Sequence, residues 1–413
     1  MPTLIPISRA LIPVSSEAAQ LLSGPNYDEF QSDQEVWQIL QGNQESILRV
    51  TMAHCDVPNC ENILDEGSAE ALLRAKENIA ELQNSPLSRV AEQILVIYKI
   101  TEARRPEHSQ IGLAGMALSS EIRTEQNPLG VIIRNEGIRE KKVQGRAKLI
   151  EQTSSYVGVV NNAVDDASGA LSNALDSYAS DRSCDYFARD EKGNVHEIWL
   201  VTQNEEVDYF CKLLANEEWA YVADGNHRSA AAAMLGKEEF LAVFFPVARM
   251  SISPYNRLID ALQLSERELL EKLSPSFEIE KLGSNEEYQP TATHEIGLYT
   301  SENWYRLQPK ANSFEAGNAV EEIDADILQR KFFAEVLDIN DASDNRLNYV
   351  GGDRDSKYLM SRVDSGEFNY AITLAPVTME QFVNVCKQNR FMPPKATWFE
   401  PKVRSGLFVA LLG

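Results

Sequence analysis

The chain has 413 residues, 43% of them hydrophobic and 24% charged, the composition of an ordinary soluble globular protein with length for two or three domains. Its 39 lysines and arginines face 62 aspartates and glutamates, a formal net charge of -23, and such a field repels nucleic acid and anionic membranes. No apolar run approaches the roughly 20 residues of a membrane helix. The segment Leu4 to Val14 is broken by Pro6, Arg9 and Pro13 and makes a poor signal peptide. Five scattered cysteines form no disulfide framework, so the expected location is cytoplasmic.

Residues 1–85 read as mostly helical, with helices expected at 33–41 and 68–83. In the second, Ala71, Leu72, Ala75, Ile79 and Leu82 recur at helical spacing and Pro86 ends the run. Strands are expected at 93–101 and 110–118, a short helix at 146–155, and a strand over Ser155–Val160. Two more strands, near 184–189 and 195–202, flank the turn Asp190-Glu191-Lys192-Gly193-Asn194. A helix at 205–215 leads into an apolar strand, Trp219 to Ala223, then Asp224-Gly225-Asn226-His227-Arg228, then an alanine-rich helix from Ser229 that stops at Gly236. Beyond it come a strand over 239–248, a helix at 264–273, and a polar linker or loop at 281–292. Strands at 294–300 and 303–308, a helix at 326–337 and a strand-turn at Leu347–Gly352 follow. The end carries a strand at 368–374, a helix at 378–389 and a final strand at 403–411. The alternation lacks the regular spacing of a barrel and reads as mixed α/β or α+β.

A strand, a tight glycine turn and a helix N-terminus place free N–H groups and the positive end of the helix dipole at one spot, which suits an anion. His227 and Arg228 open this helix, where the dipole disfavours cations unless a phosphate is bound. Gly225 permits close backbone approach, Arg228 offers a planar fork to phosphate oxygens, and Asp224 is suited to Mg²⁺. A plainer reading has Asn226 capping the helix and Arg228 pairing back to Asp224. A second cluster, Met392 to Gly406, gathers Lys395, Lys402 and Arg404 around Trp398 and Phe399. It reads as a phosphate clamp or as a surface loop. Glu136, after the apolar Ile132-Ile133, is a candidate general base. His54-Cys55 with Cys60 is too small for a four-ligand zinc site, and Pro58-Asn59 reads as a turn. Gly351-Gly352 is not a dinucleotide fingerprint, and no Walker lysine motif occurs.

Taken together, these residues resemble the family catalogued as domain of unknown function one thousand and fifteen, nearly end to end. The resemblance rests on Pro25-Asn26-Tyr27-Asp28, Asn135-Glu136, Ala223 to Arg228, Trp304-Tyr305-Arg306-Leu307, Tyr349-Val350-Gly351-Gly352, and Met392-Pro393-Pro394-Lys395 through Ser405-Gly406-Leu407. The Asp-Gly-x-His-Arg motif is similar to the nucleotide-phosphate motif of free serine kinases and, more distantly, of ParB and sulfiredoxin-like domains. Asn135 and Asn226 stand where histidines are common, and Asn26 where a proline is common.

The resemblance implies an α+β fold with a ParB/sulfiredoxin-like nucleotide-binding region at 91–250. A mainly helical region at 1–90 and an α/β region at 251–413 would flank it. It implies transfer of a phosphoryl group from ATP or ADP, with Mg²⁺, to the hydroxyl of free L-serine. Glu136, Asp224 and His227 would be catalytic. Gly225, Asn226, His227, Arg228, Ser229, Lys395, Lys402 and Arg404 would bind nucleotide, and Asp224 the metal. The alternative is a regulator that binds nucleotide without turnover, as ParB-like switch domains do. No nucleic-acid or membrane partner is expected, and the oligomeric state stays open.

Overall fold

The structure, a computed structural model, describes residues 1–27, 29–30, 32–261, 264–282, 287–301, 303–352 and 354–413; Asp28 of the quoted Pro25–Asp28 segment lies outside them. The chain forms two compact units, Met1–Met250 with Pro401–Gly413, and Ser251–Glu400. No helix among the described residues is long and apolar enough to cross a membrane.

Twelve strands of the first unit join in one sheet: β1 Leu4–Ile5, β2 Ile7–Pro13, β3 Ser88–Thr101, β4 Ser109–Leu118, β5 Ile132–Arg134, β6 Ser155–Tyr156, β7 Val160–Val164, β8 Tyr186–Arg189, β9 Val195–Val201, β10 Ala220–Asp224, β11 Glu239–Pro246 and β12 Val409–Leu411. Their order is β5-β10-β7-β11-β4-β3-β2-β12-β6, with β1 beside β4, β9 beside β3 and β8 beside β9. The pairs β10–β5 and β11–β7 are parallel, and the remaining pairs are antiparallel. This is a mixed α/β architecture. Strands β4, β10 and β11 are apolar nearly throughout because they are buried along nearly their whole length.

Several sequence expectations meet long-range pairing here. Residues 4–13, expected within a mostly helical region, are strands. Ile7–Pro13 pairs antiparallel with Ser88–Ile94, and the prolines fall just before the strand and at its last position, where a missing N–H is tolerated. The first 90 residues therefore share a sheet and a core with the rest of their unit: Leu11, Leu22, Ile47, Val50, Ile79 and Leu82 pack with Val157, Val409 and Leu411. The helix expected at 146–155 starts earlier and spans Glu140–Thr153. A helix at Ala170–Ser180 was not anticipated. The final strand begins only at Val409. Before it, Ser405 exchanges backbone hydrogen bonds with Gly24, and Gly406 turns the chain at φ +83°.

The second unit carries a six-stranded antiparallel sheet in the order Phe277–Lys281, Trp304–Pro309, Ile296–Tyr299, Tyr370–Leu374, Tyr255–Ile259, Leu347–Gly351. Trp304 is fully buried there against Leu258, Tyr299, Val350 and Leu359. The helix expected at 326–337 runs from Asp324 to Leu337 with a π-helical stretch at Gln329–Ala334. Another, at Ser356–Asp364, was not anticipated. The buried Arg257 lies 4.6 Å from the Tyr349 ring centroid and donates to the carbonyls of Tyr255 and Lys395, which holds the Met392–Lys395 segment to this sheet.

Candidate functional site

Strand β10 lies between β5 and β7, and its parallel register with β5 pairs Val222 with Arg134. Parallel strands in this register end at the same edge. Chain leaving β5 enters Asn135-Glu136, and chain leaving β10 enters Gly225. The two ends are tied directly, since Asn226 Nδ2 donates to Asn135 Oδ1 at 2.7 Å.

Gly225 takes φ +102°, a conformation side chains resist, and a Cβ there would sit 3.0 Å from Arg228 Nε and 3.2 Å from Val160 Cα. It is the N-cap of the helix Asn226–Met234, and its carbonyl accepts the N–H groups of Arg228 and Ser229. The helix thus starts at Asn226, three residues before the expected Ser229, and Gly225 caps it instead of Asn226. As the first residues of the helix, Asn226 and His227 have no intrahelical acceptor for their amides. Ser229 is fully buried and its hydroxyl donates to Asn226 O, so it serves the helix.

Asp224 is four-fifths covered and meets two cations, Lys402 Nζ at 3.4 Å and Arg228 Nη2 at 3.3 Å. Burial alone would raise its carboxyl; Lys402, Arg228 and the Gly225 amide outweigh it and hold the group below the usual carboxylate range. The pairing of Arg228 back to Asp224, the plainer of the two sequence readings, is therefore present. Arg228 also donates to Asn26 Oδ1 at 3.2 Å. Asn26 accepts from Ser405 Oγ at 3.1 Å and donates to Val403 O at 2.7 Å. Three quoted motifs thus meet at the Asn26 side chain: the Asn26 segment, the glycine turn through Arg228 and the Ser405 loop. Arg228 lines a mostly apolar cavity of about 40 Å³ with Tyr27, Arg146, Gly158 and Val160.

His227 corrects one expectation. Its Nε2 accepts the Arg139 amide at 3.0 Å, and its pKa falls from 6.5 to about 4. Burial is the main cause, followed by Lys142, Arg139, Arg146 and Arg228. At neutral pH the imidazole is uncharged, and with Nε2 accepting, its proton sits on Nδ1. It can donate a hydrogen bond to an anion but adds no charge. Because the unfolded chain binds a proton below 6.5 that the folded chain refuses, His227 lowers stability as pH drops from 6.5 to about 4. A proton NMR titration should find this ring neutral until about pH 4; a midpoint near 6.5 would contradict the burial argument.

The positive field comes instead from the helix expected at 146–155, whose earlier, cation-rich turns the sequence reading did not include. Arg139, Lys141, Lys142, Arg146 and Lys148 fall in and just before Glu140–Thr153, which packs on the alanine-rich helix. Five cations in ten residues of an acidic chain were the available signal. Buried acceptors also lie here: the Oδ1 atoms of Asn161 and Asn226 have no hydrogen-bond partner among the described residues. Asn161 pairs with Asp224 across the β7–β10 ladder, so the two share a face of the sheet.

Glu136 is half-buried just beyond β5. Lys402 reaches the turn, as described. Arg404 does not: it pairs with Glu191 at 2.8 and 3.1 Å and donates to Ser23, while its amide donates to Tyr98 Oη at 3.0 Å, so it fastens the loop. Lys395 belongs to the second unit, exposed at φ +57° with its ammonium 5.4 Å from the Tyr255 ring.

Comparisons with solved structures find faint likenesses. A conserved hypothetical protein from Pyrococcus furiosus is 11% identical, with 67% of this chain and 92% of that one covered and a TM-score of 0.34. A free serine kinase in complex with AMP is 12% identical, with 67% and 89% covered and a TM-score of 0.35. SbnI with C-terminal truncation from Staphylococcus aureus is 11% identical, with 72% and 87% covered and a TM-score of 0.38. No curated protein matches. The family model described as "Protein of unknown function (DUF1015)" matches residues 4–328, well over half the sequence, and the chain belongs to that family.

Proposed function

We propose that the first unit is a small-molecule kinase that moves the terminal phosphoryl group of ATP or ADP to the hydroxyl of free L-serine. The observation that carries this reading is the convergence at one sheet edge. The Gly225 turn with the first residues of its helix, Arg228 and Glu136 all follow the ends of β5 and β10, which lie at the same edge. Phosphoryl transfer asks mainly for positioning, charge neutralisation and a base.

In this reading the amides of Asn226 and His227 and the Nδ1–H of His227 hold phosphate oxygens, within the field of Arg139, Lys142, Arg146 and Arg228. Glu136 takes the hydroxyl proton of serine. The serine oxygen bonds to the terminal phosphorus as the bond to the bridging oxygen breaks, leaving O-phosphoserine and the shortened nucleotide. The donors suit Mg²⁺, a hard cation: the Asp224 carboxylate and the unpartnered Oδ1 atoms of Asn161 and Asn226. Bound there, Mg²⁺ would supply charge neutralisation to the phosphates. Lys402, now on Asp224, is placed to exchange that carboxylate for a phosphate.

One observation favours a second reading, nucleotide binding without turnover: Asp224 and Arg228 already satisfy each other within the protein. Phosphorus NMR of protein, Mg²⁺ and ATP or ADP separates the two. O-phosphoserine that forms only when serine is added supports the kinase. Nucleotide-dependent stabilisation with no product supports the regulator, and neither effect sinks both.

A further inference from the structure

Away from the sheet edge, a loop and a helix start bring three metal-type ligands together. The 3₁₀ turn Ala53–Cys55 presents His54 and Cys55, which are 4% and 0% exposed. Asp33, the first residue of the helix Asp33–Gly42, points at them from 21 positions earlier. The carboxylate oxygen, the imidazole nitrogen and the Sγ atom all lie within 4.8 Å of one another. His54 Nε2 stands 3.2 Å from Asp33 Oδ1. Two nitrogen or oxygen ligands on a tetrahedral ion with bonds of about 2.0–2.1 Å are separated by roughly 3.3 Å. The sequence showed His54, Cys55 and Cys60 alone, two ligands short of a closed site if only the adjacent pair is counted; folding adds Asp33.

We propose that Asp33, His54 and Cys55 form a binding site for a zinc-class divalent cation, with the fourth position taken by Cys60 or water. Three arguments support it. Thiolate, imidazole and carboxylate together select a borderline-soft ion such as Zn²⁺ over Mg²⁺ or Ca²⁺. With water in the fourth position, binding deprotonates the Cys55 thiol and releases one proton to solvent, so one thiolate and one carboxylate cancel the double positive charge; with Cys60 there, a second proton leaves and the complex carries one negative charge. Asp33 is half exposed and gives the ion a route in.

Cys55 also packs in a small core with Val36, Leu40, Leu48 and Met52, so an ion here would brace the turn against that helix. The test is cobalt titration of the full chain, reduced and stripped by chelator. One equivalent of Co²⁺ should give a sulfur-to-cobalt charge-transfer band with the visible bands of a tetrahedral ion, and Zn²⁺ should bleach them. The band should vanish in Cys55→Ala, weaken in Asp33→Asn and persist in Cys184→Ser. Cys60→Ser should shift it if Cys60 is the fourth ligand and leave it unchanged if water is. Since Cys55→Ala could fail to fold, X-ray absorption of the zinc-loaded natural chain gives an independent reading: one sulfur at about 2.3 Å, or two if Cys60 is the fourth ligand, with nitrogen and oxygen at about 2.0–2.1 Å. No charge-transfer band, a band untouched by Cys55→Ala, or a zinc shell without sulfur each overturns the proposal.

Discussion

Glu136→Gln is expected to lower the rate of O-phosphoserine formation by about 100- to 10,000-fold, the usual contribution of a general base, while nucleotide affinity changes little. The reasoning is positional. Glu136 follows Asn135, and Asn135 is tied to Asn226 at the first turn of the alanine-rich helix. The glutamine keeps the shape and the acceptor oxygen but cannot take the proton. The expected result is therefore a fall in turnover with intact binding, read by phosphoserine assay and nucleotide titration on the same preparation. Loss of both together would make Glu136 a structural residue or a metal ligand. Unchanged turnover would remove it from the reaction.

Asp224→Ala should destabilise the first unit by about 3 kcal/mol, at the low end for a broken buried ion pair because Asp224 keeps a fifth of its surface exposed. The substitution leaves Lys402 and Arg228, 13% and 9% exposed at their side chains, without their shared carboxylate. Asp224→Ala combined with Lys402→Ala should cost less than the two single changes summed, since the second removes a charge the first left uncompensated. The effect should depend on acidity with a definite sign. The folded-state pKa of Asp224 lies below its unfolded value, so its contribution is full above about pH 4 and fades as pH falls further. Denaturant midpoints of both proteins across pH 3 to 7 check this. A difference under about 1 kcal/mol at neutral pH would place the pair with ordinary surface bridges.

Local patterning made much of the scaffold readable. The helix Ala69–Gln83 shows Ala71, Ala75, Ile79 and Leu82 on its buried face, capped by Ser68, as the spacing indicates. The strand-glycine-helix unit at 220–234 also stands where the sequence places it, because a left-handed glycine between an apolar run and an alanine run is a short-range signal. Partnerships across long separations were not readable. Lys402 meets Asp224 over 178 positions, and Arg228 meets Asn26 over 202. The charge state of His227 depends on its burial and then on the cations of a neighbouring helix, neither of which a motif around His227 records. Arg404 looked like a phosphate ligand because it is a cation near two others, yet Glu191 and Ser23 claim it.

The placement of Pro401–Gly413 in the first unit has a consequence for biosynthesis. Strand β12 sits between β2 and β6, so a ribosome that has released only residues 1–400 has delivered every part of that sheet except an interior rung. The contiguous second unit is free to fold at that stage. The older N-terminal half waits, its gap unfilled and Lys402 not yet delivered, and a free chain truncated at residue 400 should accordingly be cut by protease in its first 250 residues while the later segment resists.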